Sequence, residues 1–92
     1  MIVRIATERQ YELLGSDEQA LHELDNQAAA ACQAGDEQQF LDAFARLLDY
    51  VRTNGQPVPE DRLEGSDLIL PPPDTSLEEA MEEFTGEGLI PG

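Results

Sequence analysis

Only two residues, Gly35 and Asp36, separate two long helical patterns in this chain. Before them, apolar residues recur at helical spacing from Leu21 to Cys32, and after them a stronger apolar stripe runs from Phe40 to Val51. A connection this short makes the two helices fold back on each other. The sequence therefore predicts an antiparallel αα-hairpin that contains most of the core.

The two predicted helices carry residues that are typical of helix ends. Ser16 and Gln19 match a capping box. In this motif the serine hydroxyl accepts a hydrogen bond from the Gln19 amide, and the glutamine side chain accepts one from the Ser16 amide. Asp36 predicts a side-chain cap for the second helix. Gly35 suits the left-handed position that ends the first helix, and Gly55 is expected to end the second.

Short runs with high β-propensity flank the helical region. The runs Ile2 to Ala6 and Tyr11 to Leu14 predict a hairpin. Its three-residue connection, Glu8-Arg9-Gln10, is expected to place Ile5 opposite Leu13. Asp67 to Leu70 predicts a third strand that can pair with the N-terminal strand. Because this run is apolar without alternation, we expect both of its faces to be covered.

Prolines define the remaining boundaries. Gln56 to Pro59 is typical of an extended linker, and Pro71 ends the third strand. A third helix, capped at Ser76, follows. Its inner face is predicted to consist of four apolar residues, Leu77, Ala80, Met81 and Phe84. Its outer face is predicted to consist of four glutamates, Glu78, Glu79, Glu82 and Glu83.

These elements follow the order ββααβα, which predicts an α+β fold. In it, an N-terminal β-hairpin and a third strand form a small sheet, packed by the αα-hairpin and the C-terminal helix. A chain of 92 residues is expected to form a single domain, 1–92. We divide it into the β-hairpin (1–14), the αα-hairpin (16–55), a linker (56–65), and the last strand, helix and apolar C-terminus (66–92).

The charge balance is strongly negative. The chain has 20 acidic residues, five arginines and no lysine, for a formal net charge of −15. Such a surface repels phosphate backbones and anionic headgroups, which disfavours direct binding of nucleic acid or of an acidic membrane. A basic partner is favoured instead. In a second interpretation, the charge only keeps a small protein soluble.

Residues suited to catalysis or metal binding are few. One histidine, His22, and one cysteine, Cys32, form neither an internal disulfide nor a zinc site, and Cys32 is expected to be a small buried apolar residue. The glutamates of the third helix have a spacing that could bridge a divalent cation, but no calcium loop or Glu-x-x-His motif accompanies them. No nucleophile or phosphate-binding motif is present. We therefore predict no enzyme activity, no cofactor and no metal.

No apolar stretch approaches the roughly 20 residues that a membrane-spanning helix needs. The opening residues, Met1 to Arg4, lead into an alternating pattern and not into the basic and apolar regions of a signal peptide. We expect a cytoplasmic protein that does not insert into a membrane and reaches its surface only through a partner.

One order of features extends over the whole chain. It comprises Met1 to Ile5, Gly35-Asp36 between two helices, Gly55 to Pro59, Ser66 to Pro72, and Gly88 to Gly92. In this order the chain resembles the PspAA family, whose members accompany PspA, a membrane-stress protein related to ESCRT-III and Vipp1. The resemblance implies a non-enzymatic accessory protein of the envelope-stress response and carries over no catalytic residue. The chain departs from the family where a glycine is expected, in the turn Glu8-Arg9-Gln10.

From the resemblance and the acidity we expect an adaptor that binds a PspA-like helical protein. The candidate contacts are the glutamate face and the apolar C-terminus, namely Glu78, Glu79, Glu82, Glu83, Leu89, Ile90 and Pro91. The C-terminal residues could equally pack into the domain's own core. An alternative function is that of an acidic mimic of nucleic acid that inhibits a DNA-binding protein, because ten of the 20 acids fall between Glu60 and Glu87.

Overall fold

A computed structural model describes residues 1–59 and 65–83, which form an α+β domain as predicted. Its elements are β1 (Ile2–Ile5), β2 (Gln10–Glu12), α1 (Gly15–Ala34), α2 (Glu37–Asn54), β3 (Gln56–Pro57), β4 (Leu68–Leu70) and α3 (Leu77–Glu83). The predicted order ββααβα is confirmed for the main elements. The two-residue strand β3 is an addition, and it lies in the segment predicted to be a linker.

The strands form one mixed sheet in the order β3-β2-β1-β4. The β1/β2 and β2/β3 pairs are antiparallel, whereas β1 and β4 are parallel, with Val3 opposite Leu68 and Ile5 opposite Leu70. The predicted pairing of the third strand with the N-terminal strand is therefore confirmed. Because α1 and α2 intervene between the hairpin and β4, the chain has the length that a parallel connection requires.

The register of the N-terminal hairpin differs from the prediction. Arg4 pairs with Gln10, so the turn follows Ile5 at once, and the Leu13 amide donates to Met1 O (2.9 Å). The predicted pairing of Ile5 with Leu13 is wrong. The reason is the turn itself, where Thr7 has a φ of 69°. This left-handed conformation is normally taken by Gly or Asn, so the sequence contains no signal for it.

The prediction that both faces of the third strand are covered is also wrong. Leu68 and Leu70 are buried, but Ile69 between them is 60% exposed. β4 is an edge strand, and α1 and α2 lie on one face of the sheet. An apolar strand at such an edge buries only the alternate residues that point toward the helices.

The ends of α1 and α2 match the prediction at three of four places. Gly35 ends α1 with a φ of 70°, Asp36 Oδ1 accepts from the Gln39 amide (3.1 Å), and Gly55 follows the last residue of α2. The predicted Ser16 cap is wrong, because α1 already begins at Gly15 and its N-cap residue, Leu14, makes no side-chain cap bond.

The core lies between the αα-hairpin and the sheet. Phe40 is fully buried and stacks on Phe44, with ring centroids 5.3 Å apart. Cys32 is buried, as predicted, and this burial raises the pKa of its thiol. The carboxylate of Asp25, on the inner side of α1, is fully buried with these apolar groups. The helix-facing side chains of the sheet complete the core, namely Val3, Ile5, Tyr11, Leu13, Leu68 and Leu70.

Candidate functional site

The start of α3 is fixed by a reciprocal capping box. The Glu79 amide donates to Ser76 Oγ (3.2 Å), and the Ser76 amide donates to Glu79 Oε1 (3.1 Å). Just before it, the Thr75 hydroxyl donates to Pro72 O (2.7 Å), so Thr75 closes the preceding turn and does not cap the helix. These bonds satisfy amides that a helix start otherwise leaves without partners.

We expect Glu79 to titrate below the usual glutamate range. The Ser76 amide and then the Ser76 hydroxyl lower the pKa of Glu79 because both favour the charged carboxylate. A folded-state pKa that is lowered stabilises the protein above the unfolded value of about 4.3, and this contribution is lost as the pH falls through the folded value. Carboxyl-carbon NMR titration measures this pKa directly.

The matched variant for this prediction is Ser76→Ala, which removes the hydroxyl and keeps the amide. Its Glu79 pKa is expected to rise part of the way toward the usual value. An identical Glu79 titration in both proteins would contradict the capping geometry.

The exposed side of α3 combines acidic and apolar groups. Glu78 and Glu82 are exposed, and Met81 beside them is 54% exposed. We call these three residues the α3 surface. The prediction that Met81 points inward is wrong, because Ala80 is fully buried and Leu77 is half-buried, and these two residues make the inward contacts of this short helix.

Of the other predicted contact residues, only Glu79 and Glu83 lie within the described part of the chain. Glu79 is exposed but is engaged by the Ser76 cap, and Glu83 is the last described residue of α3. Phe84, Leu89, Ile90 and Pro91 lie outside the described residues, so their predicted roles stay predictions.

A groove runs along the solvent side of the contact between α1 and α2. Its first part is a cavity of about 610 Å³, lined from α1 by Ala30 and Ala31 and from α2 by Asp42, Ala43 and Arg46, among others. Ala31 and Ala43 are buried and form its floor, whereas the remaining three of these residues are exposed.

A second cavity, of about 370 Å³, extends the groove toward the C-terminal end of α2. Leu24, Asp49 and Tyr50 line it, and Arg46 lines both cavities. The Tyr50 hydroxyl donates a hydrogen bond to Asp17 Oδ1 (3.1 Å). The pKa of Tyr50 is raised, mainly by partial burial and to a smaller extent by this hydrogen bond. We call the two cavities together the seam groove.

The charged side chains along α2 fall into two groups. Arg52 pairs with Asp49 and also makes a bidentate contact with Glu8 of the hairpin turn, with Nε 3.1 Å from Oε1. The Glu8 hydrogen bond raises the pKa of Arg52. Asp42, in contrast, accepts from Gln38 (3.2 Å), and within the described residues no hydrogen bond or ion pair engages Arg46. Asp42 and Arg46 therefore form no ion pair, although they are four residues apart on the same helix.

Residues 1–59 and 65–83 contain neither a candidate metal site nor a candidate membrane-spanning helix. No group of three or more His, Cys, Asp or Glu side chains lies close enough to hold a metal ion. No helix in this part of the chain has the length and apolar character to cross a membrane.

The sequence reasoning missed the seam groove. A signal for it is present, because Gln39, Ala43, Arg46, Tyr50 and Thr53 repeat every three or four residues beside the core stripe of α2. These residues are mostly polar, so their spacing by itself is typical of a solvated helix face. Only the position of α1 beside them makes a groove.

Comparisons with known proteins support one family. No curated protein and no solved structure matches the chain. The model of the PspAA family, described as PspA-associated protein, matches residues 1–92. This match covers every element of the fold described above, from the N-terminal hairpin to α3 and beyond, and it agrees with the order of features in the sequence. The chain belongs to the PspAA family of PspA-associated proteins.

Proposed function

We propose that this protein is a non-enzymatic, acidic adaptor that binds PspA and regulates it in the cytoplasm during the envelope-stress response. The observation that carries the proposal is the match of the whole chain to a PspA-associated family. An accessory role linked to PspA follows from that membership. Direct binding, regulation and the contact surface are the parts that require an experiment.

Electrostatics support a direct contact. A net charge of −15 on 92 residues steers the protein toward basic surfaces and away from anionic lipid. PspA-like proteins are long, helical and rich in charge, so they can offer basic helical surfaces. Such a pairing speeds association more than it strengthens the final complex, and it weakens as salt rises.

The α3 surface is our first candidate for the contact. Glu78 and Glu82 are exposed and take no part in the Ser76 cap, so both carboxylates are available to basic side chains. Met81 adds apolar area between them. Glu79 and Glu83 belong to the proposed contact, as do Leu89, Ile90 and Pro91 at the C-terminus.

Calorimetric titration of the full chain with PspA from the same genome tests the proposal. We expect a complex at about 50 mM salt whose affinity falls severalfold at about 300 mM, because the charges are then screened. No detectable heat and no co-purification at either salt concentration would refute direct binding. Co-purification with a DNA-binding protein in place of PspA would favour the nucleic-acid mimic.

The contribution of α3 is measured with a charge-matched pair of variants. The double variant Glu78→Gln/Glu82→Gln is expected to weaken PspA binding about three- to tenfold, mainly through a slower association rate. The control, Glu18→Gln/Glu23→Gln, removes two exposed charges from α1 and is expected to have a smaller effect. Equal effects of both variants would show that net charge, and not the α3 surface, governs the contact.

A further inference from the structure

The seam groove is built from one stripe on each helix, along the solvent side of the core. Ala31 and Ala43 at its floor belong to the core, whereas Gln27, Ala30, Asp42 and Arg46 above them are exposed. On α2 the stripe contains Asp42, Arg46 and Asp49. Arg46 and Asp49 precede the buried residues Leu47 and Val51 by one and two positions in the sequence. These positions recur every three or four residues, which is the repeat of a helix that packs against another helix. The α1 side of the groove follows the same repeat, at Leu24, Gln27, Ala31 and Ala34.

The dimensions of the groove suit a helix. From Gln39 to Thr53 it follows α2 over about 21 Å at 1.5 Å per residue, the length of a helix of about 14 residues. Its floor is formed by Ala31 and Ala43, which have no side-chain atom beyond Cβ and leave room for side chains of a helix lying above them. An extended peptide would find no free backbone groups here, since those of α1 and α2 are paired within the helices.

The charges in the groove define the chemistry of the occupant. Along α2 they alternate as negative, positive and negative at Asp42, Arg46 and Asp49, with spacings of four and three residues. Arg46 lies at the junction of the two cavities and has no ion-pair partner within the described residues. Asp49 also pairs with Arg52 (3.3 Å), so a basic residue of the partner would share its carboxylate, whereas an acidic residue would be the first ion-pair partner of Arg46 within the described part of the chain. A helix with a basic, an acidic and a basic residue at the same spacings therefore complements the groove.

We infer that the seam groove is the docking site for one amphipathic helix of PspA. That helix places small or medium apolar side chains over Ala31 and Ala43, a carboxylate against Arg46, and basic side chains against Asp42 and Asp49. The inference rests on the proposed function, because it takes PspA as the source of the helix. It adds a second contact surface, separate from the α3 surface, and the pattern of residues that this second surface recognises.

The first test fills the groove. Ala30 and Ala45 are both exposed alanines within helices, but only Ala30 lines the groove. In the full chain, Ala30→Trp is expected to weaken PspA binding at least about tenfold, whereas Ala45→Trp binds like the wild type. Equal binding by both variants would overturn the inference and leave the proposed function standing. Absence of wild-type binding would overturn both.

The second test reverses a charge. Arg46→Glu is expected to weaken PspA binding about tenfold, and its control, Arg9→Glu, places the same change on the exposed hairpin turn. Arg9→Glu is expected to change the affinity less than about twofold. Equal losses for the two variants would assign the effect to net charge and contradict a specific contact at Arg46.

The melting temperatures of the isolated variants distinguish a partner's helix from a segment of this chain. If the groove is open to a partner, Ala30→Trp and Arg46→Glu leave the melting temperature within about 2 °C of the wild type, since both sites are exposed. A fall of about 5 °C or more in both, with melting of Ala45→Trp and Arg9→Glu unchanged, would show that part of this chain occupies the groove and would overturn the inference.

Discussion

Replacing Phe40 with alanine will lower the free energy of unfolding by about 3–5 kcal/mol. Phe40 has no exposed surface and stacks on Phe44 at an angle of 13°. It lies near the start of α2 and belongs to the hydrophobic core, so its truncation removes buried apolar contacts and leaves a cavity that the surrounding side chains fill only in part. Small domains are stable by only about 5–15 kcal/mol, so this loss is a large fraction of the total.

Urea unfolding followed by circular dichroism measures this loss. The control is Leu41→Ala, one residue further along the same helix, where the side chain is 42% exposed. The free energy of unfolding of that variant is expected to fall by less than about 1.5 kcal/mol, since much of the apolar surface of the Leu41 side chain stays in contact with water in the folded protein. Similar losses at the two positions would mean that α2 does not turn its Phe40 face toward the core.

Replacing Gly55 with alanine is the second change with a large expected effect, a loss of about 3 kcal/mol. A Cβ atom at this position would lie 2.5 Å from Val51 O and 2.8 Å from Tyr11 Cβ. The backbone of Gly55 has a φ of −77°, which any residue can adopt, so the cost comes from steric overlap alone. Relief of that overlap requires residue 55 to move away from the last turn of α2 and also from Tyr11 of β2.

The same urea measurement tests this prediction against Gly15→Ala. A Cβ atom at Gly15 meets nothing within 4 Å, and alanine suits the first residue of α1 better than glycine. Gly15→Ala is therefore expected to be neutral or slightly stabilising. A Gly55→Ala protein as stable as the wild type would show that the end of α2 does not approach Tyr11 this closely.

The αα-hairpin could be predicted from the sequence because its signals are local. The apolar stripe through Phe40 and Val51, the left-handed Gly35 and the Asp36 cap each depend on neighbours within a few residues. The Ser16 cap failed although its local signal was also good. It failed because the N-cap residue is Leu14, two residues before Ser16, so Ser16 lies inside the first turn of α1.

The sheet was less predictable because its details depend on distant residues. The hairpin register follows from the left-handed conformation of Thr7, for which threonine gives no signal. The exposure of Ile69 follows from the uncovered face of the sheet, on which Arg4 of the neighbouring strand β1 is also exposed, and this depends on where the helices pack. The short strand β3 forms because Gln56 and Pro57 follow directly on the end of α2, which brings them beside Glu12 and Tyr11.

The α3 surface and the seam groove also differ in how much of each could be predicted from the sequence. The exposed glutamates Glu78 and Glu82 could be predicted from the helical spacing of α3 alone. The outward position of Met81 could not, because it depends on how α3 is rotated against α1 and α2. The seam groove needs two helices at a particular distance and rotation, so no single stretch of sequence contains it.

The most direct measurement of the central claim is a methyl NMR titration of the full chain, labelled at its alanine methyl groups, with PspA from the same genome. Methyl signals remain observable in large complexes, and alanines lie both in the seam groove and away from it. We predict that the signals of Ala30, Ala31 and Ala34 shift on addition of PspA, while that of Ala45 does not. An alanine spectrum that stays unchanged at saturating PspA, or that changes only at Ala45, would contradict it.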